Sequence, residues 1–203
     1  MKVLLINGSP KKKGNTFLAL SEVVSSLERN GIVTEIVSIG NRPVQGCIAC
    51  EKCQETKVCV FKDDVYLNLR EKLEEADALV IGSPTYFAGP NGALCALLDR
   101  LFYSCYDLVQ FKPAAAVVTC RRCGSSATLD RLYKYFSICN MPVVSSQYWN
   151  GVHGRLPGEV LQDTEGMQTM RILGNNMAWI LTSTDRKSHP RLEEPRAFTH
   201  FIR

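Results

Sequence analysis

The chain has 203 residues, 45% hydrophobic and 22% charged, proportions that exclude a disordered, collagenous or fibrous protein. Its length predicts one domain, large enough to bury a core without covalent staples. Twenty-four basic against twenty acidic residues leave a net charge of +4, too small to argue for a nucleic-acid partner.

The first apolar run, Lys2 to Ile6, ends at Asn7-Gly8 and reads as a buried strand. It is too short for the apolar core of a signal peptide. No stretch reaches the roughly 18 apolar residues of a membrane span. A cytoplasmic protein without membrane contact is therefore expected. Thr16 to Arg29 carries Phe17, Leu20, Val23, Val24 and Leu27 at helical spacing, and Gly31 stops it. Ile32 to Ile39 is a second strand, rich in β-branched residues. Residues 40–62 have no clear period and hold four cysteines. A helix is predicted over Asp63 to Glu75, whose leading carboxylates suit its positive end.

Ala76 to Ile81 is a third strand, apolar apart from Asp77 and so covered on both faces. A helix over Asn91 to Tyr103 follows the Gly89-Pro90 turn. Ala114 to Val118 is a fourth strand, Ala127 to Ile138 a helix, and Pro142 to Ser145 a short fifth strand. Thr164 to Leu181 is the last helix. Residues 185–203 read as an extended tail whose Arg186, Lys187, Arg191 and Arg196 form a solvated or subunit-crossing arm.

Strands alternating with helices imply a parallel sheet with right-handed crossovers. In such a sheet ligands bind beyond the carboxyl ends of the strands. Five loops then share one face: 7–15, 40–63, 82–90, 119–126 and 146–163.

The first loop runs from Gly8 to Thr16 straight into a helix. A helix N-terminus offers free amides and partial positive charge to a phosphate; Ser9, Asn15, Thr16 and a lysine add donors. The plainer reading is a capped helix with a solvated lysine run. Neither the nucleoside-triphosphate loop nor the dinucleotide glycine fingerprint is present. In the third loop Pro84, Tyr86 and Phe87 offer an apolar bed for a flat ligand, or simply a core edge.

Gly8-Ser9-Pro10, Gly14-Asn15-Thr16 and, after strand three, Gly82-Ser83-Pro84-Thr85-Tyr86-Phe87 together resemble the flavodoxin-like FMN reductase family. Cys47, Cys50, Cys53 and Cys59 are similar to the compact cysteine motif of the iron–sulfur flavoproteins within it. The resemblance spans residues 1 to about 184. It implies a doubly wound α/β fold, a five-stranded parallel sheet in the order 2-1-3-4-5 with helices on both faces. It implies FMN as cofactor. Ser9, Lys11, Gly14, Asn15 and Thr16 would hold its phosphate region. Pro84, Thr85, Tyr86 and Phe87 would line its ring, and the loop Thr119 to Gly124, with Arg121, would close over the other side. Cys120-Arg121-Arg122-Cys123 replaces the family's usual glycine-rich stretch there.

Four thiolates at this spacing suit a [4Fe-4S] cluster. They also suit structural zinc, and a metal-free loop is the third reading. Cys120 and Cys123 are either a redox dithiol, activated by Arg121 and Arg122, or two ordinary thiols. The same arginines are candidates for the phosphates of NAD(P)H. Cys95, Cys105 and Cys139 read as small packing residues. His153, in the loop after the fifth strand, reads as structural before catalytic.

These readings make the chain an FMN-dependent oxidoreductase in which the flavin carries the chemistry and no side chain need act as acid or base. The expected donor is NAD(P)H or ferredoxin, and the acceptor a small molecule. A homodimer or homotetramer is expected. The competing classes are a cluster-free NAD(P)H reductase, a non-catalytic electron carrier, and a phospholigand-binding regulator with zinc.

Overall fold

Val3, Leu4, Leu5 and Ile6 are all fully buried, and they alternate between two cores. Leu4 and Ile6 face one layer of helices; Val3 and Leu5 face the other. This is why the run is apolar without a break: a strand covered on both sides has no polar face. The computed structural model describes residues 1–184 together with 194, 197 and 199. The expected tail arginines and lysine lie outside the described residues.

The strands are β1 (Lys2–Asn7), β2 (Val33–Ser38), β3 (Ala78–Tyr86), β4 (Gly89–Pro90), β5 (Ala114–Cys120) and β6 (Gly151–His153). The helices are α1 (Asn15–Arg29), α2 (Cys53–Thr56), α3 (Asp64–Glu75), α4 (Gly92–Ser104), α5 (Tyr106–Val109), α6 (Ser125–Ile138) and α7 (Thr164–Ser183). The sheet order is β2-β1-β3-β5-β6, and each of these neighbouring pairs is parallel. Helices α1 and α7 cover one face with Leu20, Val23, Leu27, Met170 and Leu173. Helices α3, α4 and α6 cover the other with Tyr66, Leu69, Leu97, Leu101, Leu132 and Phe136.

Three expectations need correction. The sheet has six strands rather than five, because Gly89–Pro90 folds back antiparallel on β3. The parallel strands still wind as expected once β4 is set aside. Second, the expected fifth strand at 142–145 shrinks to one bridge between Val143 and Ala114. Just beyond it Ser146 donates to the Thr169 carbonyl, and Asn176 donates to the Ser145 carbonyl. The chain there is held by α7, and the edge position beside β5 passes to Gly151–His153.

Third, the region 82–90 is mostly strand and not loop. Pairing with β5 continues through Gly82, Ser83 and Pro84. Phe87 and Ala88 then form a two-residue hairpin turn at φ 50° and 58°. A tight hairpin of this hand needs positive φ at both central residues, an uncommon conformation for a phenylalanine. No helix among the described residues is long and apolar enough to cross a membrane.

Candidate functional site

The carboxyl end of β1 is organised by Asn7, a buried residue not singled out from the sequence. Its side chain accepts from the Ser9 amide (3.1 Å) and donates to the Lys12 carbonyl (3.3 Å) and the Ser38 hydroxyl (3.0 Å). Ser9 Oγ in turn accepts from the Lys11 amide. Gly8 donates its amide to the Gly82 carbonyl at 2.8 Å. A Cβ at Gly8 would lie 2.4 Å from Leu94 Cδ2 and 2.8 Å from that carbonyl oxygen, so only glycine permits the approach. The loop delivers the chain into α1 at Gly14, where no side chain caps the helix and its first turn carries no acidic residue. Its leading amides remain available to an anion.

All of the residues expected to hold FMN, apart from Phe87, line one cleft of about 220 Å³. Ser9, Lys11, Gly14, Asn15 and Thr16 form one wall. Pro84, Thr85 and Tyr86 form the second, and Thr119 and Arg121 the third. Phe87 stands at the hairpin tip, fully exposed and outside the cleft. The turn geometry takes it away from the bed that Pro84 and Tyr86 offer.

Two expected donors are engaged with the protein itself. Asn15 Oδ1 accepts from the Gly158 amide at 2.8 Å, and its Nδ2 donates to the Leu156 carbonyl at 3.0 Å. The side chain is a staple for the loop that contributes Gly154, Arg155 and Pro157 to the cleft. At Gly154 a Cβ would lie 2.7 Å from the Val160 nitrogen and 3.2 Å from Asn15 Nδ2. The Thr16 and Thr119 hydroxyls lie 2.8 Å apart and are buried. Gly154, Arg155 and Pro157 were missed as lining residues, whereas Cys120 lies in the loop expected to close over the ring. The Gly154 and Gly158 punctuation after the sheet was the available signal.

Gly124 has φ +91°, and a Cβ there would meet Ala88 Cα at 3.0 Å. The loop 119–126 therefore rests directly on the β3–β4 hairpin. Within it Cys120 is buried and Cys123 exposed, and both are free thiols. Burial pushes the Cys120 thiol up, opposite to the activation expected from Arg121 and Arg122. His153 Nδ1 lies 3.3 Å from Asp163 Oδ2. The same carboxylate accepts the amides of His153 (2.7 Å) and Gly166 (2.9 Å), so it joins β6 to the start of α7.

Cys47, Cys50, Cys53 and Cys59 border one narrow void. The chain reaches it through left-handed residues at Ala49 (φ 51°) and Glu51 (φ 57°), with Lys52 right-handed beside them. Alternating hands turn successive amides inward, a device used for anions and iron–sulfur centres. The Ala49 amide donates to Cys47 Sγ at 3.4 Å. Burial, and then the nearby Cys59, Cys47 and Cys50, push the Cys53 thiol up. Among the described residues no group of three His, Cys, Asp or Glu side chains is placed to hold a metal ion. Four cysteines bordering one void are nevertheless the donor set a four-iron cluster takes.

A model of the NADPH-dependent FMN reductases matches residues 1–154. The chain belongs to this family. An iron-sulfur flavoprotein of Methanocaldococcus jannaschii is 33% identical over 189 residues, covering 89% of this chain and 97% of the relative. Among solved structures, a flavodoxin from the Archaea covers 90% of this chain and 99% of its own (TM-score 0.59, 15% identity). The NAD(P)H:quinone oxidoreductase of Methanothermobacter marburgensis covers 87% and 96% (TM-score 0.66, 14% identity). The fold is flavodoxin-like, and membership of the FMN reductase family makes the chain a flavin-dependent oxidoreductase with FMN as the supported cofactor.

Proposed function

We propose that this FMN reductase family member passes electrons between FMN in the 220 Å³ cleft and a [4Fe-4S] cluster on Cys47, Cys50, Cys53 and Cys59. The observation that carries the reading is the convergence of all four thiols on one void, in a chain whose curated relative bears the iron-sulfur flavoprotein name. FMN can exchange two electrons or one, and a cluster exchanges one; together they interconvert hydride equivalents and single electrons.

The residues have distinct tasks. The open amides at the start of α1 and the Lys11 charge receive the FMN phosphate. Pro84 and Tyr86 give the ring an apolar bed; Thr85 and Thr119 border it. Arg121, Arg122 and Arg155 put positive charge near the mouth, which suits NAD(P)H as donor. Ferredoxin is the alternative donor, a small molecule the acceptor, and a homodimer or homotetramer the assembly.

Quantifying flavin, iron and sulfide in anaerobically purified protein tests the reading. Stoichiometric FMN with about four irons and matching sulfide is expected. C50S with C53S should lose the iron and keep the flavin. Zinc in place of iron, or a yellow protein with no metal, would defeat the cluster assignment. The latter would support the second reading, a cluster-free NAD(P)H reductase.

A further inference from the structure

Arg100, on α4, has a side chain with no solvent exposure. Its Nη1 donates to the Gln45 carbonyl at 3.1 Å, and its Nη2 donates to the Phe61 carbonyl and Asp63 Oδ2, each at 2.5 Å. The rings of Phe61 and Tyr66 lie 5.6 and 5.0 Å from the guanidinium carbon. Gln45 precedes the first of the four cysteines by two positions, and Phe61 follows the last by two. One guanidinium therefore closes both ends of the cysteine loop.

The same side chain borders the void that the four thiols share. Its Nε is buried with no hydrogen-bond partner. Cys59 borders the same void, two positions from the Phe61 carbonyl that Arg100 holds. A buried cation needs anionic compensation. Asp63 is half exposed and also accepts the Tyr66 amide at the start of α3. The bare Nε, beside a void that four thiols border, indicates where the rest of that compensation lies.

Resting on the cluster reading above, we propose that Arg100 is the positioning residue of the cluster. It draws the cysteine loop shut and fixes a positive charge beside the Cys59 corner, which raises the cluster's reduction potential. One-electron reduction adds negative charge to an already anionic centre. A cation held in a dry site favours that reduced form, since cluster potentials follow net charge and solvent exposure.

The test compares R100M and R100K in the full chain, reconstituted anaerobically. FMN, iron and sulfide are counted, and the cluster is titrated with mediators and followed by electron paramagnetic resonance. R100M should keep FMN, lose more than half of its iron, and become at least tenfold harder to reduce, a fall of about 59 mV for one electron. R100K keeps the charge without the fork, so its iron should fall while its potential stays within threefold of wild type. Wild-type iron and potential in R100M would overturn the proposal, and so would an equal fall in potential in both variants. If R100M loses FMN as well, R100K decides alone: an unchanged potential with reduced iron supports the proposal, and a tenfold shift overturns it. Wild-type protein without iron would sink the cluster reading itself, an outcome distinct from unaltered Arg100 variants of an iron-bearing protein.

Discussion

Thr16 and Thr119 meet hydroxyl to hydroxyl at 2.8 Å, tying the first turn of α1 to the end of β5. Both are buried, so each is the other's means of staying hydrogen-bonded. Removing one leaves the other unsatisfied at a cost of about 1–3 kcal/mol, whereas replacing both can be nearly neutral. T16V and T119V should each lower stability by that amount in urea unfolding, and the double variant should recover at least half of the summed loss. Strict additivity would mean that the two hydroxyls do not depend on each other.

Asn15 reaches the loop at 156–158 through two hydrogen bonds. N15A should free that loop, at about 1 kcal/mol per bond. The expected readout is FMN release several-fold faster, with earlier proteolytic cutting between 154 and 162. Unchanged release would show that the loop does not retain the flavin.

Two glycines separate backbone strain from crowding. Gly31 has φ +75° with nothing near a would-be Cβ, whereas Gly124 has φ +91° with Ala88 Cα at 3.0 Å. An L-residue in this region costs about 1–2 kcal/mol. G31A should show that cost alone in chemical denaturation. G124A should exceed it and also weaken FMN binding, because the β3–β4 hairpin must move. Equal losses with intact flavin affinity would contradict the packing explanation.

Asp163 carries a pH signature. Burial pushes its carboxyl up, but the amides of Gly166 and His153 and the His153 ring outweigh this and hold it below the ordinary aspartate value. Its contribution is present above the unfolded pKa of about 3.9 and is lost as pH falls through the lower folded value. The stability gap between wild type and D163N should be full at pH 5–7 and close below about pH 3.9. D163A, which also loses the cap on α7, should cost about 0.5–2 kcal/mol near neutrality. Melting temperatures across that range check both, and a gap that widens in acid would refute the assignment.

Much of the molecule was legible from local pattern. The unbroken apolar runs at Val3 to Ile6 and Ala78 to Ile81 marked strands covered on both faces, and the spacing of Leu20, Val23 and Leu27 marked the buried side of α1. From alternation alone, five loops were expected on one face, and residues of four of them, 7–15, 82–90, 119–126 and 146–163, do line one cleft. The four-cysteine spacing marked thiols that do border one void.

Periodicity reports which face a residue takes, and that is a property of its neighbours in the chain. It does not report a partner far along the chain, which depends on strand order and on where a loop comes to rest. Hence Asn15 looked like a phosphate donor, while the fold turns it to a carbonyl 141 residues away. Pro142 to Ser145 looked like a strand, while α7 captured its end and β6 took the place. Nothing in the local sequence singled out Arg100, and only the packing of α4 under the cysteine loop buried it against Gln45 and Phe61. The sequence by itself determined the layers and the sheet face that bears the site; the tertiary structure decided which polar groups remain free for a ligand, because hydrogen-bond satisfaction is settled only once distant segments touch.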